Sequence, residues 1–98
     1  MNRSDLLRIS EESIRAILAK RLPANTHVYL FGSRARGDGR WNSDSDLWVD
    51  ASLTNETIIE IEADLEDSVV PFAVDIVTTA QLKGEFGQRV TQEARQWM

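Results

Sequence analysis

The chain contains no cysteine, which excludes a disulfide framework and any thiolate metal site. Histidine is almost as scarce. His27 is the single copy, and nothing near it in sequence would complete a metal or nucleophile cluster, so it reads as the start of a strand. No apolar run approaches the length of about twenty residues that a membrane-spanning helix needs. The N-terminus also lacks the basic-then-apolar pattern of an export signal. These absences predict a cytoplasmic protein without membrane association. Basic residues are missing from a long internal region: residues 41–82 carry ten Asp/Glu and no Lys or Arg, whereas residues 1–40 hold eight of the eleven basic residues. Arg34, Arg36 and Arg40 are too few to track the phosphates of a long nucleic acid, so no stable DNA binding is expected. They suffice for a triphosphate.

What remains is the composition of an ordinary globular domain. With 42% hydrophobic and 28% charged residues, 98 residues can bury one core but leave no room for a second module. One domain over residues 1–98 is expected. Ser10 reads as a helix N-cap with Glu11 and Glu12 in the first turn, followed by Ile14, Ile17, Leu18 and Leu22 at helical spacing. Pro23 ends that helix, and Val28–Phe31 is an inner strand. Residues 33–36 predict a short helix, residues 46–49 a second strand, 56–69 an amphipathic helix, and 72–77 a third strand. Phe86, Val90, Ala94 and Trp97 recur at helical spacing and predict a last helix over 85–98. The order α-β-α-β-α-β-α implies an α/β (α+β) fold, a small mixed sheet flanked by helices.

One stretch organises the rest. The apolar run Val28-Tyr29-Leu30-Phe31 ends at Gly32-Ser33, and ten residues separate Ser33 from the pair Asp44-x-Asp46. A strand that turns into a helix at a Gly-Ser pair leaves backbone N–H groups unpaired at the helix start, a seat for an anion. Side chains two apart on a strand share a face, so Asp44 and Asp46 can address one hard cation. Phosphate and a divalent metal are the expected ligands.

This pattern resembles the signature of the minimal nucleotidyltransferases (MNT), within the superfamily that includes DNA polymerase beta. The resemblance covers nearly the whole chain and includes a third strand acid, Asp75, in Val74-Asp75-Ile76. It implies that Asp44, Asp46 and Asp75 are catalytic and hold one or two Mg²⁺ ions, with Asp75 nearest the acceptor hydroxyl. It also implies that Gly32 and Ser33 receive the phosphates of ATP, with Arg36 in support. The alternative role for Arg36 is a salt bridge that secures the short helix.

Read one at a time, these residues are ordinary. Asp44 could cap a turn, Asp46 could solvate a strand end, and Asp75 could pair with an arginine. Such readings leave unexplained why three acids occupy corresponding strand positions beside a phosphate turn. Asp38 reads as a turn residue and Asp50 as too far downstream to be a ligand. Trp41 and Trp48 are candidates for nucleotide contact or for packing, and Trp97 for helix packing or a protein contact.

Small members of the resembled family are paired with HEPN-domain proteins in toxin–antitoxin modules. The resemblance therefore implies an antitoxin that transfers AMP from ATP to a tyrosine hydroxyl of a HEPN ribonuclease toxin, in a hetero-oligomer. Two alternatives stand beside it. One is a non-catalytic subunit that acts by binding alone through its acidic 56–67 helix or Trp97. The other is a transferase for a small hydroxyl compound, for which so short a chain offers little cradle.

Overall fold

A computed structural model describes residues 2–98. Among these the chain forms two compact units, one built from residues 2–25 and 53–71 and the other from residues 26–52 and 72–98.

The first unit is a pair of helices, α1 (Arg3–Arg21) and α3 (Asn55–Glu66), packed against each other. Helix α1 starts a full two turns earlier than its Ser-Glu-Glu sequence suggests. Its cap is Asn2, whose side chain accepts the Asp5 N–H at 2.8 Å. Ser10 is instead an interior, fully buried residue, and its hydroxyl donates to the Leu6 carbonyl one turn back. Ser10 thus continues the Ile14–Leu18 stripe, and all three are closed to solvent. Full burial of a Leu or Ile contributes about 1.5–3 kcal/mol each, so this stripe and Ile61 of α3 carry much of the unit.

Thr54 caps α3 by accepting the Thr57 N–H. The helix stops at Glu66, short of residue 69. Val69 therefore lies outside it and is 61% exposed rather than part of its apolar stripe. Arg21 ties the two helices together, donating from Nη1 to Glu60 at 2.8 Å and from Nε to Asp64 at 2.9 Å. The Arg21 hydrogen bond holds the Asp64 carboxyl below its ordinary range.

The second unit is a four-stranded mixed sheet of order β3-β2-β1-β4. Strand β1 (Val28–Phe31) pairs antiparallel with β2 (Ser45–Val49) and with β4 (Arg95–Gln96), while β2 runs parallel to β3 (Val74–Thr78). The third strand begins two residues later than its apolar run suggests. A 3₁₀ turn, Thr79–Gln81, follows it. Register fixes the two faces, because direct partners project to the same side. Val28 faces Val49 and Leu30 faces Leu47 on one side. On the other side lie Tyr29 opposite Trp48, Phe31 opposite Asp46, and Asp46 opposite Asp75.

The end of the chain departs from the helical reading. Helix α4 covers only Gly84–Glu93 and closes at Ala94, after which Arg95 and Gln96 pair with Leu30 and Tyr29. Trp97 thus sits beyond a strand, its N–H donating to the Val28 carbonyl at 2.8 Å. The outer edge of β1 offers unpaired backbone groups, and satisfying them outweighs one more helical turn.

Candidate active site

The sheet face that carries Asp46 also carries a cavity of about 620 Å³, contained within the second unit. All six residues singled out from the sequence line it: Gly32 and Ser33 at the end of β1, Arg36 in the short helix α2 (Ser33–Arg36), Asp44 and Asp46 at the head of β2, and Asp75 in β3. Phe31 and Val77 form its apolar floor.

The turn is shaped for close approach. Gly32 has φ +78°, a conformation that side-chain-bearing residues seldom adopt. A Cβ there would collide with the Asp46 Oδ2 carboxylate oxygen, so the glycine lets the backbone press directly over the acid. The Arg36 N–H returns to the Gly32 carbonyl at 3.0 Å, and Gly37, in the left-handed region, closes α2 by donating to the Ser33 carbonyl. The loop between turn and acids is held by Arg34. Its guanidinium donates to the carbonyls of Trp41 at 2.9 Å and Ser43 at 3.1 Å and lies 4.4 Å from the Phe72 ring centroid. Of the two candidate phosphate arginines, Arg34 is therefore committed to placing the loop just before Asp44, and Arg36 is the one on the cavity wall.

Asp46 is the electrostatic centre. It stands in register with Asp75 and within hydrogen-bonding reach of it. Its pKa is raised, first by burial and then by the negative charges of Asp75, Asp44 and Glu93. A half-buried acid crowded by three others calls for a proton or a cation. Among the described residues no three acids or histidines are already gathered at ligand spacing. Asp46 and Asp75 form the close pair, and Asp44 acts on Asp46 through its charge. As donors, however, the three supply only hard carboxylate oxygens, which suit Mg²⁺ and its preference for a few carboxylates completed by water and phosphate. The residues fit such an ion.

Three wall residues escaped the sequence reading: Phe86, Arg89 and Glu93 of α4. Their spacing of three and four places them on one helix face. Glu93 takes up much of the turn's polarity, accepting the Gly32 N–H at 3.3 Å through Oε1 and pairing with Arg36 Nη1 at 2.7 Å through Oε2. The Arg36 hydrogen bond, the leading cause, pulls the Glu93 carboxyl below its ordinary range. Arg36 also reaches Asp38 at 3.3 Å. The helix-securing salt bridge weighed for Arg36 is therefore present, and the residue remains on the cavity wall.

The tryptophans resolve differently. Trp48 stacks on Tyr29 with ring centroids 4.6 Å apart and donates from Nε1 to Thr79 Oγ1 at 2.9 Å. Thr79 donates in turn to Asp50 at 2.7 Å. This network extends the Asp46 face away from the turn and accounts for Asp50, which is not among the cavity residues. Trp41 gives its carbonyl to Arg34. His27 lies just ahead of β1, its Nδ1 3.2 Å from the Gln96 amide nitrogen.

Comparison with known proteins follows the same geometry. One chain 30% identical to this one occurs in a toxin–antitoxin crystal structure with AMP-PNP. The match covers 89% of this chain and 72% of that one at a TM-score of 0.70. A chain of a complex between a tri-AMPylated Shewanella oneidensis HEPN toxin and an MNT antitoxin is 26% identical, with 93% and 71% coverage and a TM-score of 0.66. The structure of a proposed minimal nucleotidyltransferase is 29% identical and matches nearly end to end, over 97% of this chain and 95% of that one, at a TM-score of 0.67. No curated protein matches. The family model described as polymerase beta, nucleotidyltransferase, matches residues 12–96. The fold is thus that of a known group, and this chain belongs to the polymerase beta nucleotidyltransferase family.

Proposed function

We propose that this chain is a Mg²⁺-dependent protein adenylyltransferase that moves AMP from ATP to a tyrosine hydroxyl of a HEPN-domain toxin and so neutralises it. The observation that carries this reading is the meeting of a phosphate turn and three carboxylates in one cavity. Two of the solved relatives extend it to a partner, since they come from toxin–antitoxin structures, one with AMP-PNP and one with an AMPylated HEPN toxin. A transfer that consumes ATP supports a cytoplasmic setting for this activity.

Each residue has a defined task. Gly32 and Ser33 receive the phosphate tail at the turn, where the absent Cβ allows close approach. Arg36, on the wall, adds positive charge toward the outer phosphates. Asp44, Asp46 and Asp75 would hold Mg²⁺. When bound, the metal neutralises phosphate charge and lowers the pKa of an oxygen beside it. In the transfer the tyrosine oxygen bonds to the α-phosphorus while the bond to the β-phosphate bridging oxygen breaks and pyrophosphate leaves. The phenolic proton passes to a carboxylate, for which Asp75 is the candidate, one strand out from the nucleotide-side pair. Positioning and charge neutralisation supply the acceleration, so removing the acids should cost far more activity than fold.

Intact mass of a purified HEPN partner after incubation with this chain, ATP and Mg²⁺ tests the reading. One or more AMP increments are expected, and none with Asp44→Ala/Asp46→Ala. An unmodified partner after reaction with the intact chain, also with Mn²⁺ and other nucleotides, overturns it. Undiminished neutralisation by the folded double variant would favour an antitoxin that acts by binding alone.

A further inference from the structure

Glu93 is placed against electrostatic expectation. It is the last residue of α4, where the helix dipole is negative and a cation is preferred, and it faces a cavity that already holds three aspartates. Two contacts compensate. Its two oxygens divide between the Gly32 backbone N–H and the Arg36 guanidinium, at 3.3 and 2.7 Å. A backbone N–H at a glycine turn beside a guanidinium is the donor set that a phosphate takes with two of its oxygens.

We infer that Glu93 is a built-in phosphate surrogate: its carboxylate fills the anion seat of the turn, and a nucleotide binds by displacing it. The inference rests on the proposed use of Gly32 and Arg36 for nucleotide phosphates. Displacement needs only a side-chain rotation. The backbone on both sides of Glu93 is fixed, by the Ala94 N–H on the Val90 carbonyl at 2.9 Å and by Arg95 in register with Leu30. Arg36 keeps Asp38 as a second partner when Glu93 leaves. Arg89, one turn back on the same wall, lies 5.7 Å from the Phe86 ring centroid and offers the departing carboxylate a cation. Glu93 thus preorganises the turn without nucleotide and subtracts from nucleotide affinity.

The test is AMP-PNP binding with Mg²⁺ to the full chain and to Glu93→Gln, by calorimetry, with adenosine as a phosphate-free control. Gln keeps an acceptor for Gly32 but loses the charge that Arg36 holds. Tighter AMP-PNP binding by at least about threefold, the scale of one part-exposed ion pair, is expected, with adenosine binding unchanged. Glu93→Ala should tighten it further, with thermal melts verifying that it folds. Equal or weaker AMP-PNP binding by a folded Glu93→Gln would make Glu93 a support for the turn and overturn the inference alone. Absence of AMP-PNP binding by the unsubstituted chain would overturn the nucleotide reading together with it.

Discussion

Asp46 and Asp75 stand side by side as register partners on the parallel strands β2 and β3, close enough to share a hydrogen bond. Two carboxyl groups can do so only if one keeps a proton. The Asp46 pKa is accordingly raised, with burial as its largest cause and the neighbouring acids adding to it. A divalent cation would take over the proton's role.

A pH dependence follows, with a definite sign. Because the folded-state pKa of Asp46 lies above its unfolded value, its contribution is fully present below the unfolded pKa and is lost as pH rises through the folded one. The Asp46 contribution to the melting temperature of metal-free protein should therefore shrink as pH climbs above about 4, against the opposite contributions of Asp64 and Glu93. Asp46→Asn, which stays neutral, should flatten that part of the profile and melt higher than the unsubstituted protein at neutral pH. Mg²⁺ should raise the melting temperature of the unsubstituted chain much more than that of the variant. Thermal melts in chelator and in Mg²⁺ decide it; a variant that melts lower at neutral pH without metal would contradict this account.

Gly32→Ala combines two penalties, a left-handed backbone and a methyl group driven into Asp46 Oδ2. The expected loss is about 1–3 kcal/mol in urea unfolding, together with loss of nucleotide binding. Gly37 shares the positive φ but has open space where a Cβ would go. Gly37→Ala should therefore lose stability while retaining nucleotide binding. Equal binding defects in the two would show that only the turn's conformation matters.

Arg34 acts on the site through the loop it holds. Arg34→Ala frees the carbonyls of Trp41 and Ser43, so Asp44 loses its fixed approach. Stability should fall by about 1–3 kcal/mol, and kcat by roughly tenfold or more through misplacement. Lysine, a point donor without the planar fork, should rescue little. A kcat unchanged in a folded Arg34→Ala protein would remove Arg34 from the account.

The grouping of turn and acids in one cavity is legible in the sequence because it is local. Gly32-Ser33 and Asp44-x-Asp46 lie on adjoining segments of chain, and their strand and turn residues announce their own geometry. What was hidden depended on distant pairing. Ser10 looks like a cap because two glutamates follow it, yet Asn2 holds that role and Ser10 donates inward to Leu6. Trp97 continues a helical spacing from Phe86, but the unpaired edge of β1 draws Arg95 and Gln96 into a strand first. Glu93 belongs to no motif that the sequence displays. Its place depends on α4 lining the cavity, with Gly32 and Arg36 in reach.

The parallel pairing of β2 with β3 has a consequence for how the protein comes into being. Asp46 and its register partner Asp75 are separated by α3 and its connections, and Glu93 follows later still. A ribosome makes chain from the N-terminus at about 5–20 residues per second, so seconds pass between the phosphate turn and the third acid. During that interval the nascent chain holds the Gly-Ser pair and two aspartates but no complete catalytic face. On the roles proposed above, a product that ends before β3 would lack one of the three acids and so the full set of metal-holding groups.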